Sequence, residues 1–447
     1  LRATGYTIRV VAGEGGNAYI GKNATDVATE ATITAGEEVT LRAEVTEGYE
    51  FDGWYDSNGK FISDEAICTI TPNDNMTYTA KFYALVEANK YYKLQCQGSN
   101  KYYLSSNINS ADNNRLMMNG ANRIFYYGSL INEFNEIDDD IEANQKKLLA
   151  YTEGNFVGIK KRATGDYYDV TLLDNRNEIS HNVKFNAGTN GNVMISVEYV
   201  EYVDENEIST YFYLDGNGTS VSSNTNYIND NSHNWKCEEV TSLPVAISSA
   251  QHATLYAPVA LEIPDGVRAY VLDASKIDAT SKDIVLTRLS SIIPANTGVI
   301  LKGNEGTYDF NITESTDDAE AEAAGNALDG TVARTRVVGD AYILAVREGK
   351  VGLYPLAGNS YINPDIQTAS FTNGSHKAYL PVKDDTLGEI LKKSTGVRFL
   401  YSDEIVTGIS ERYIELYEHI TGEPFVKEST EDIAARIEKN VTEWLAK

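Results

Sequence analysis

Aromatic strands set beside glycine turns recur through the middle of the chain, and they constrain its fold more than any other feature. The first is Tyr91-Tyr92-Lys93-Leu94-Gln95-Cys96, followed by the turn Gly98-Ser99-Asn100 and then Lys101-Tyr102-Tyr103-Leu104-Ser105. Tyr92, Leu94 and Cys96 alternate with Lys93, Gln95 and Gln97, the pattern of a half-buried strand. Gly154-Asn155-Phe156-Val157-Gly158-Ile159 and Thr210-Tyr211-Phe212-Tyr213-Leu214-Asp215-Gly216 follow at similar spacing. Self-similarity at a fixed period is the mark of a repeated architecture. Residues 84–240 are therefore expected to form a threefold all-β unit, a β-trefoil.

At 447 residues the chain is too long for one core, and three domains are expected. Thirty tyrosines against four methionines, with 34 glycines and nine prolines, favour sheets and tight turns over long helices. The 38 basic and 65 acidic residues leave a net charge of −27, which repels phosphate backbones and anionic membrane surfaces. Nucleic acid is thus excluded as an expected partner. No apolar run reaches the about 18 residues that a membrane-spanning helix needs, so no membrane insertion is expected. The chain starts at Leu1, not a methionine, which leaves open a removed signal peptide or a missing upstream portion. The three cysteines, Cys68, Cys96 and Cys237, are too few for a disulfide framework and lack zinc-site spacing.

Residues 1–83 read as the first unit. Tyr6, Ile8 and Val10 alternate with Thr7 and Arg9, and Gly13-Glu14-Gly15-Gly16 ends that strand. Val39, Leu41, Ala43 and Val45 make a second alternating strand. Gly48-Tyr49-Glu50-Phe51-Asp52-Gly53-Trp54 and the closing Tyr78-Thr79-Ala80-Lys81-Phe82 complete a pattern that resembles the divergent internalin-type B-repeat of bacterial surface proteins. That resemblance implies a compact β-grasp-like spacer on an extracellular protein. Trp54 is read as core, since one large aromatic dominates a small core.

The middle unit closes with Asn234-Trp235-Lys236-Cys237-Glu238-Glu239-Val240, which resembles the final Gln-x-Trp strand of ricin-type trefoils, with asparagine in place of glutamine. Only the last of three expected closing tryptophans is present, and the acidic stretch from Phe134 to Glu142 interrupts the first repeat. In a trefoil the first and last strands are neighbours, which brings Cys96 and Cys237 near each other as a candidate disulfide or as two small buried hydrophobes. The ricin likeness implies carbohydrate binding, which needs an aromatic face against the sugar and a nearby Asp or Asn for its hydroxyls. Tyr211, Tyr213, Asp215 and Asn217 beside Trp235 are the candidates in the third repeat, and Tyr102, Tyr103 and Asn107 in the first. Tyrosines at strand spacing are also common core residues.

Residues 241–409 read as a third β-rich unit, with strands separated by Gly, Pro and Asn. Ala-Thr-Leu-Tyr-Ala-Pro (253–258), Ile-Pro-Ala-Asn-Thr-Gly-Val-Ile-Leu (293–301) and Ala-Tyr-Leu-Pro-Val (378–382) look like the C-terminal β-module of many secreted gut Bacteroidetes proteins, among them glycoside hydrolases and leucine-rich surface proteins. This module is expected to be sandwich- or barrel-like. Ser315 to Ala324, acidic and alanine-rich, reads as a solvated loop or short helix. Residues 410–447 change character: Ser410 starts a helical pattern that Gly422-Glu423-Pro424 ends, and Ser429-x-x-Asp432 begins a second. Arg412-Tyr413-Ile414-Glu415-Leu416-Tyr417 and Thr421-Gly422 are similar to the C-terminus of bacterial phosphoribosylaminoimidazole-succinocarboxamide synthetase. No ATP- or substrate-binding part of that family has a counterpart upstream, so no ligase residue carries over.

No phosphate loop and no GxSxG elbow occur, and the five histidines, at 181, 233, 252, 376 and 419, have no metal-ligand spacing. Asp138-Asp139-Asp140 and Asp215-Gly216-Asn217-Gly218 lack EF-hand spacing and read as solvated turns. The expected whole is a mainly β, multidomain chain: a β-grasp-like repeat, a β-trefoil, a β-sandwich or barrel-like module and a short α-helical tail. Its expected role is a noncatalytic extracellular or cell-surface binding and adhesion protein, without metal or cofactor, whose partner is a carbohydrate or host-surface glycan. The alternatives are the accessory C-terminal half of a secreted glycoside hydrolase, a purely structural stalk and, on the tail alone, a purine-pathway ligase.

Overall fold

A computed structural model describes residues 5–111, 114–119, 123–129, 145–173, 182–203, 206–226, 230–277, 283–355, 370–382, 398–421, 423–425 and 442. The chain is mainly β and folds as successive units. The first unit contains β1 (Gly5–Ala12), β2 (Gly16–Ile20), β3 (Glu30–Thr34), β4 (Val39–Val45), β5 (Tyr49–Tyr55), β6 (Phe61–Ser63), β7 (Ile67–Ile70) and β8 (Met76–Ala84). They form a five-stranded sheet in the order β3-β1-β8-β5-β6 and a three-stranded one in the order β2-β4-β7. The alternation predicted for β1 and β4 places Ile8, Val10, Val39, Leu41 and Ala43 inside, around a fully buried Trp54, but at the end of β4 it fails: Val45 is exposed and Arg42 is buried. Gly16 is required by packing: a Cβ there would lie 2.4 Å from the Glu44 carbonyl oxygen.

Among the described residues the middle unit contains twelve strands: β9 (Lys90–Cys96), β10 (Tyr103–Asn109), β11 (Arg115–Asn119), β12 (Phe125–Gly128), β13 (Lys147–Ala150), β14 (Phe156–Lys161), β15 (Tyr168–Leu173), β16 (Val183–Ala187), β17 (Val193–Val203), β18 (Asn206–Asn217), β19 (Ser220–Asn224) and β20 (Asn234–Glu239). Three sets of four strands share one pairing rule. The second and third strand of each set form a hairpin: β10 with β11, β14 with β15, β18 with β19. The first pairs with the fourth in β9–β12 and β17–β20, and the Val183 N–H donates to the Lys146 carbonyl to link β16 to the start of β13. β12–β13, β16–β17 and β20–β9 then join the sets into a closed ring. The three hairpins meet through β19, where Ser220 faces Met117 and Ser222 faces Asp169.

The first and last strands of this unit therefore meet, but Cys96 and Cys237 do not bond. Cys96 stands opposite Trp235 and Cys237 opposite Leu94, a stagger of two residues, and both thiols are free. A diagonal pair of that kind is separated by about 7–8 Å between Cα atoms, too far for a disulfide. Cys96 is buried, with its Sγ near the Ser232 carbonyl, and Cys237 packs half-buried against the same core. Each behaves as a small hydrophobe.

In the third unit, strands His252–Leu255, Val299–Gly303, Val267–Ile277, Asp283–Arg288 and Arg398–Tyr401 form one sheet, the last running parallel to its neighbour. Ser242–Ile247 pairs with Gly306–Thr313 in a second sheet, and Asp329–Thr331, Lys377–Pro381, Ala341–Arg347 and Lys350–Pro355 form a third. The acidic stretch after Ser315 is a short helix, Asp317–Ala323, which the Thr316 side chain caps. A longer helix, Ser402–Thr421, follows directly on the strand Arg398–Tyr401. It starts ahead of Ser410, so a single helix crosses the domain boundary expected between 409 and 410. Phe134 to Glu142, including Asp138-Asp139-Asp140, and the expected second tail helix (Thr442 apart) lie outside the described residues.

The middle and third units share one apolar cluster. Tyr91, Tyr126, Leu149, Tyr151 and Phe156 of the middle unit pack with Leu243, Val245, Leu255, Val271, Phe310 and Val332 of the third. Polar bonds cross the same seam: Tyr91 Oη lies 2.7 Å from His376 Nε2, Tyr151 Oη donates to the Pro244 carbonyl at 3.2 Å, and Ser375 Oγ donates to the Tyr151 carbonyl at 2.7 Å. The first unit joins more sparingly, through a bridge between Tyr83 and Gly191 and a bond from the Ala84 N–H to the Gly191 carbonyl.

Candidate functional site

Along β18 the inward residues Phe212 and Leu214 are buried, which turns Tyr211, Tyr213 and Asp215 to the other face. Tyr211 sits in a polar setting. Its hydroxyl donates to Glu198 Oε1 at 3.0 Å and accepts from Lys184 Nζ at 3.0 Å, and that ammonium lies 4.7 Å from the ring centroid. Asn182 Nδ2 donates to the other Glu198 oxygen at 3.1 Å. Partial burial works to raise the Glu198 pKa, but hydrogen bonds from Asn182, Ser209 and Tyr211, with the Lys184 charge, hold it below the usual carboxylate range. Glu198 is thus an anionic acceptor ordered on both oxygens. Asp215 accepts from Ser222 Oγ at 3.3 Å through Oδ2, while its Oδ1 is buried without a partner among the described residues. Tyr213 is half-buried between Ser196 and Asn224 on the flanking strands. Asn217 pairs with Ser220 through its backbone, and its side chain lies outside the described residues.

Trp235 does not belong to this face. It is fully buried and donates its Nε1–H to the Leu214 carbonyl at 3.2 Å, so no sugar can stack on it. The candidates on and just before β10 form a separate group. Tyr102, which precedes the strand, packs half-buried on the core, Tyr103 donates to Glu238 Oε2 at 3.1 Å, and Asn107 is exposed within an irregularity in the β10–β11 register. β11 and β19 lie between β10 and β18, a separation of about 14 Å at ordinary strand spacing. The two groups therefore cannot grip one sugar ring together.

Sequence reasoning missed a buried charge cluster under the hairpins. Asp169 is 1% exposed and is held by Arg115 Nε at 2.7 Å and by Arg162 Nε and Nη2 at 2.7 and 2.8 Å. Burial opposes its ionisation, but the two guanidinium groups prevail and hold its pKa below the normal range. The three residues come from three strands or turns and carry no local motif. The arrangement braces three parts of the middle unit around one buried carboxylate. Among the described residues no group of three or more His, Cys, Asp or Glu side chains is placed to hold a metal ion. Cavities among the described residues lie elsewhere, among them one of about 330 Å³ on the seam between the middle and third units, beside Lys90, Glu239, Val259 and Ile312, one of about 430 Å³ on the third unit, and one of about 340 Å³ beside Thr7, Arg9 and Ser57 of the first.

Residues 6–85 match the family model of the divergent InlB B-repeat domain, a domain typical of surface and extracellular proteins. Among the described residues no helix is long and apolar enough to cross a membrane. A short stretch is similar to phosphoribosylaminoimidazole-succinocarboxamide synthases: 72% identical over 43 residues to the enzyme of Bacteroides fragilis and 67% over 43 residues to that of Bacteroides thetaiotaomicron. The Flavobacterium psychrophilum enzyme is 59% identical over 44 residues. Each match covers 10% of this chain and 14% of the enzyme, so the chain spans about a seventh of the length of these curated relatives. No solved structure matches. What the comparisons show is a likeness to the divergent InlB B-repeat domain over residues 6–85 of a mainly β chain.

Proposed function

We propose that the chain is a noncatalytic binding and adhesion region of an extracellular or cell-surface protein, and that its middle unit is a ricin-like β-trefoil that binds carbohydrate on the outer face of β18. The closed ring with three hairpins supports the trefoil reading. One observation carries the binding site: Tyr211 and Tyr213 alternate outward on one strand beside the ordered Glu198 acceptor and the Lys184 donor. A tyrosine ring offers a flat apolar face for sugar C–H groups, and the carboxylate and ammonium offer an acceptor and a donor for hydroxyls. Trp235, Tyr102 and the β10 residues Tyr103 and Asn107 have no part in this site.

Glycan-array binding by the intact chain, compared with a Tyr211→Ala/Tyr213→Ala variant, tests the reading. Loss of binding with cooperative unfolding retained supports it; undiminished binding by the variant rules out this face. The second reading is an accessory C-terminal region of a secreted glycoside hydrolase. It draws support from the third unit's sequence likeness and implies hydrolytic activity in a longer reading frame. A ligase reading rests on 14% of the enzyme's length, and an ATP-dependent ligation assay on this chain is expected to be silent.

A further inference from the structure

Lys302 and Arg268 stand directly opposite one another on adjacent antiparallel strands of the third unit, and His252 faces Lys302 from the other side. Arg288 stands opposite Tyr270, which shares a strand face with Arg268. Three permanent cations thus crowd one end of a sheet in a chain whose net charge is −27. Like charges directly across a ladder destabilise it, so the row calls for counter-charge. The cavity of about 430 Å³ opens over it, lined by Gln251, Arg268, Arg288 and Lys302 and by Gly266 and Gly303.

Counter-charge comes from the first turn of the helix Ser402–Thr421. Glu404 Oε1 lies 2.5 Å from Lys302 Nζ and 3.8 Å from Arg268 Nη1, and Asp403 Oδ2 lies 3.8 Å from Arg268 Nη1 and 3.5 Å from Arg288 Nη1. Two carboxylates against three cations leave one positive charge. The guanidinium–carboxylate contacts are longer than the about 2.7–2.9 Å of a charge-assisted hydrogen bond, so the carboxylates hold both arginines loosely, while Arg268 also hydrogen-bonds Tyr270. Their side chains are also 46% and 45% exposed, within reach of a solute in the cavity.

We propose that this cavity is an anion site, taking the carboxylate or sulfate group of a soluble ligand such as an acidic sugar, and that Asp403 and Glu404 close it from within the chain. Arginine presents its N–H donors in a fixed fork that matches either oxyanion, and the helix carboxylates hold the place such a group would take. The site is separate from the β18 face and does not depend on it.

The test is calorimetric titration of the intact chain with sodium sulfate and with sodium glucuronate, at constant ionic strength. The Asp403→Asn/Glu404→Gln variant is expected to bind one of the two at least tenfold more tightly than the wild type, and the probe that gains identifies the group. Adding Arg268→Gln to that variant is expected to return the affinity to the wild-type level or below. Unchanged or weaker binding in the double variant, or tight binding that survives Arg268→Gln, overturns the proposal. Should the double variant fail to fold, wild type is compared with Arg268→Gln alone: lost binding supports the site and equal binding overturns it.

Discussion

The seam between the middle and third units makes stability depend on pH through one residue. His376 is 4% exposed and sits at φ +53°, with Nε2 2.7 Å from Tyr91 Oη, Nδ1 2.9 Å from Ser375 Oγ and its ring 4.5 Å from that of Tyr151. Burial among these groups lowers its pKa from 6.5 to about 3. The folded imidazole therefore stays neutral, while the unfolded chain takes up a proton below about pH 6.5. The full contribution is present above that pH and is lost as pH falls toward 3. At pH 4.5 the loss is about 3 kcal/mol, a large part of an ordinary folding free energy of about 5–15 kcal/mol. Urea unfolding of wild type and His376→Asn, at pH 7 and pH 4.5, isolates this contribution, because asparagine tolerates positive φ and does not titrate. The variant has a fixed cost at both pH values, which cancels in the difference. The pH-induced loss is expected to be smaller in the variant by about 2–3 kcal/mol. An equal loss in both proteins would refute a neutral, buried His376.

Gly154 lies on the same seam at φ +69°, where a Cβ would come within 2.6 Å of the Arg334 backbone nitrogen. Gly154→Ala is expected to lower the melting temperature and to split a joint transition of the middle and third units into two, as read by calorimetry. Asp169→Asn leaves two guanidinium groups facing a neutral amide, and is expected to cost about 3 kcal/mol in urea unfolding at pH 7. Because the folded pKa of Asp169 is depressed, that cost is expected to shrink as pH falls below about 4. Burial raises the pKa of the Cys96 and Cys237 thiols; the buried Cys96 is expected to react with a thiol reagent only after unfolding, and the half-buried Cys237 slowly in the folded chain. A reducing agent is accordingly expected to leave the melting temperature unchanged.

The first unit was largely legible because period-2 alternation decides which face of a strand meets a core, as at Ile8 and Val10. In the middle unit the strands were legible but their equivalence was not. β9 is the first strand of its set, while β14 and β18 are second strands, so the three aromatic stretches are not copies of one position. Matching aromatics beside glycines selects for turn chemistry, which every hairpin shares. Alternation placed Tyr92, Leu94 and Cys96 inside, yet Tyr91 on the opposite face is also fully buried. Its cover comes from His376 and the third unit, far along the chain, and no local pattern records that. Trp235 shows the reverse error. Its place on the inner face of β20 was readable, and only the family likeness drew it toward a sugar site. Asp169 and the cation row escaped notice because charged residues on separate strands read as solvated until the register sets them side by side.

Carbohydrate binding on the outer face of β18 is tested most directly by calorimetric titration of the intact chain with a glycan selected on an array, using wild type, Tyr211→Ala and Tyr213→Ala. Saturable binding by the wild type and at least a tenfold loss in each variant are expected, with unfolding still cooperative. Equal affinity in all three proteins would contradict it, as would the absence of any glycan that binds.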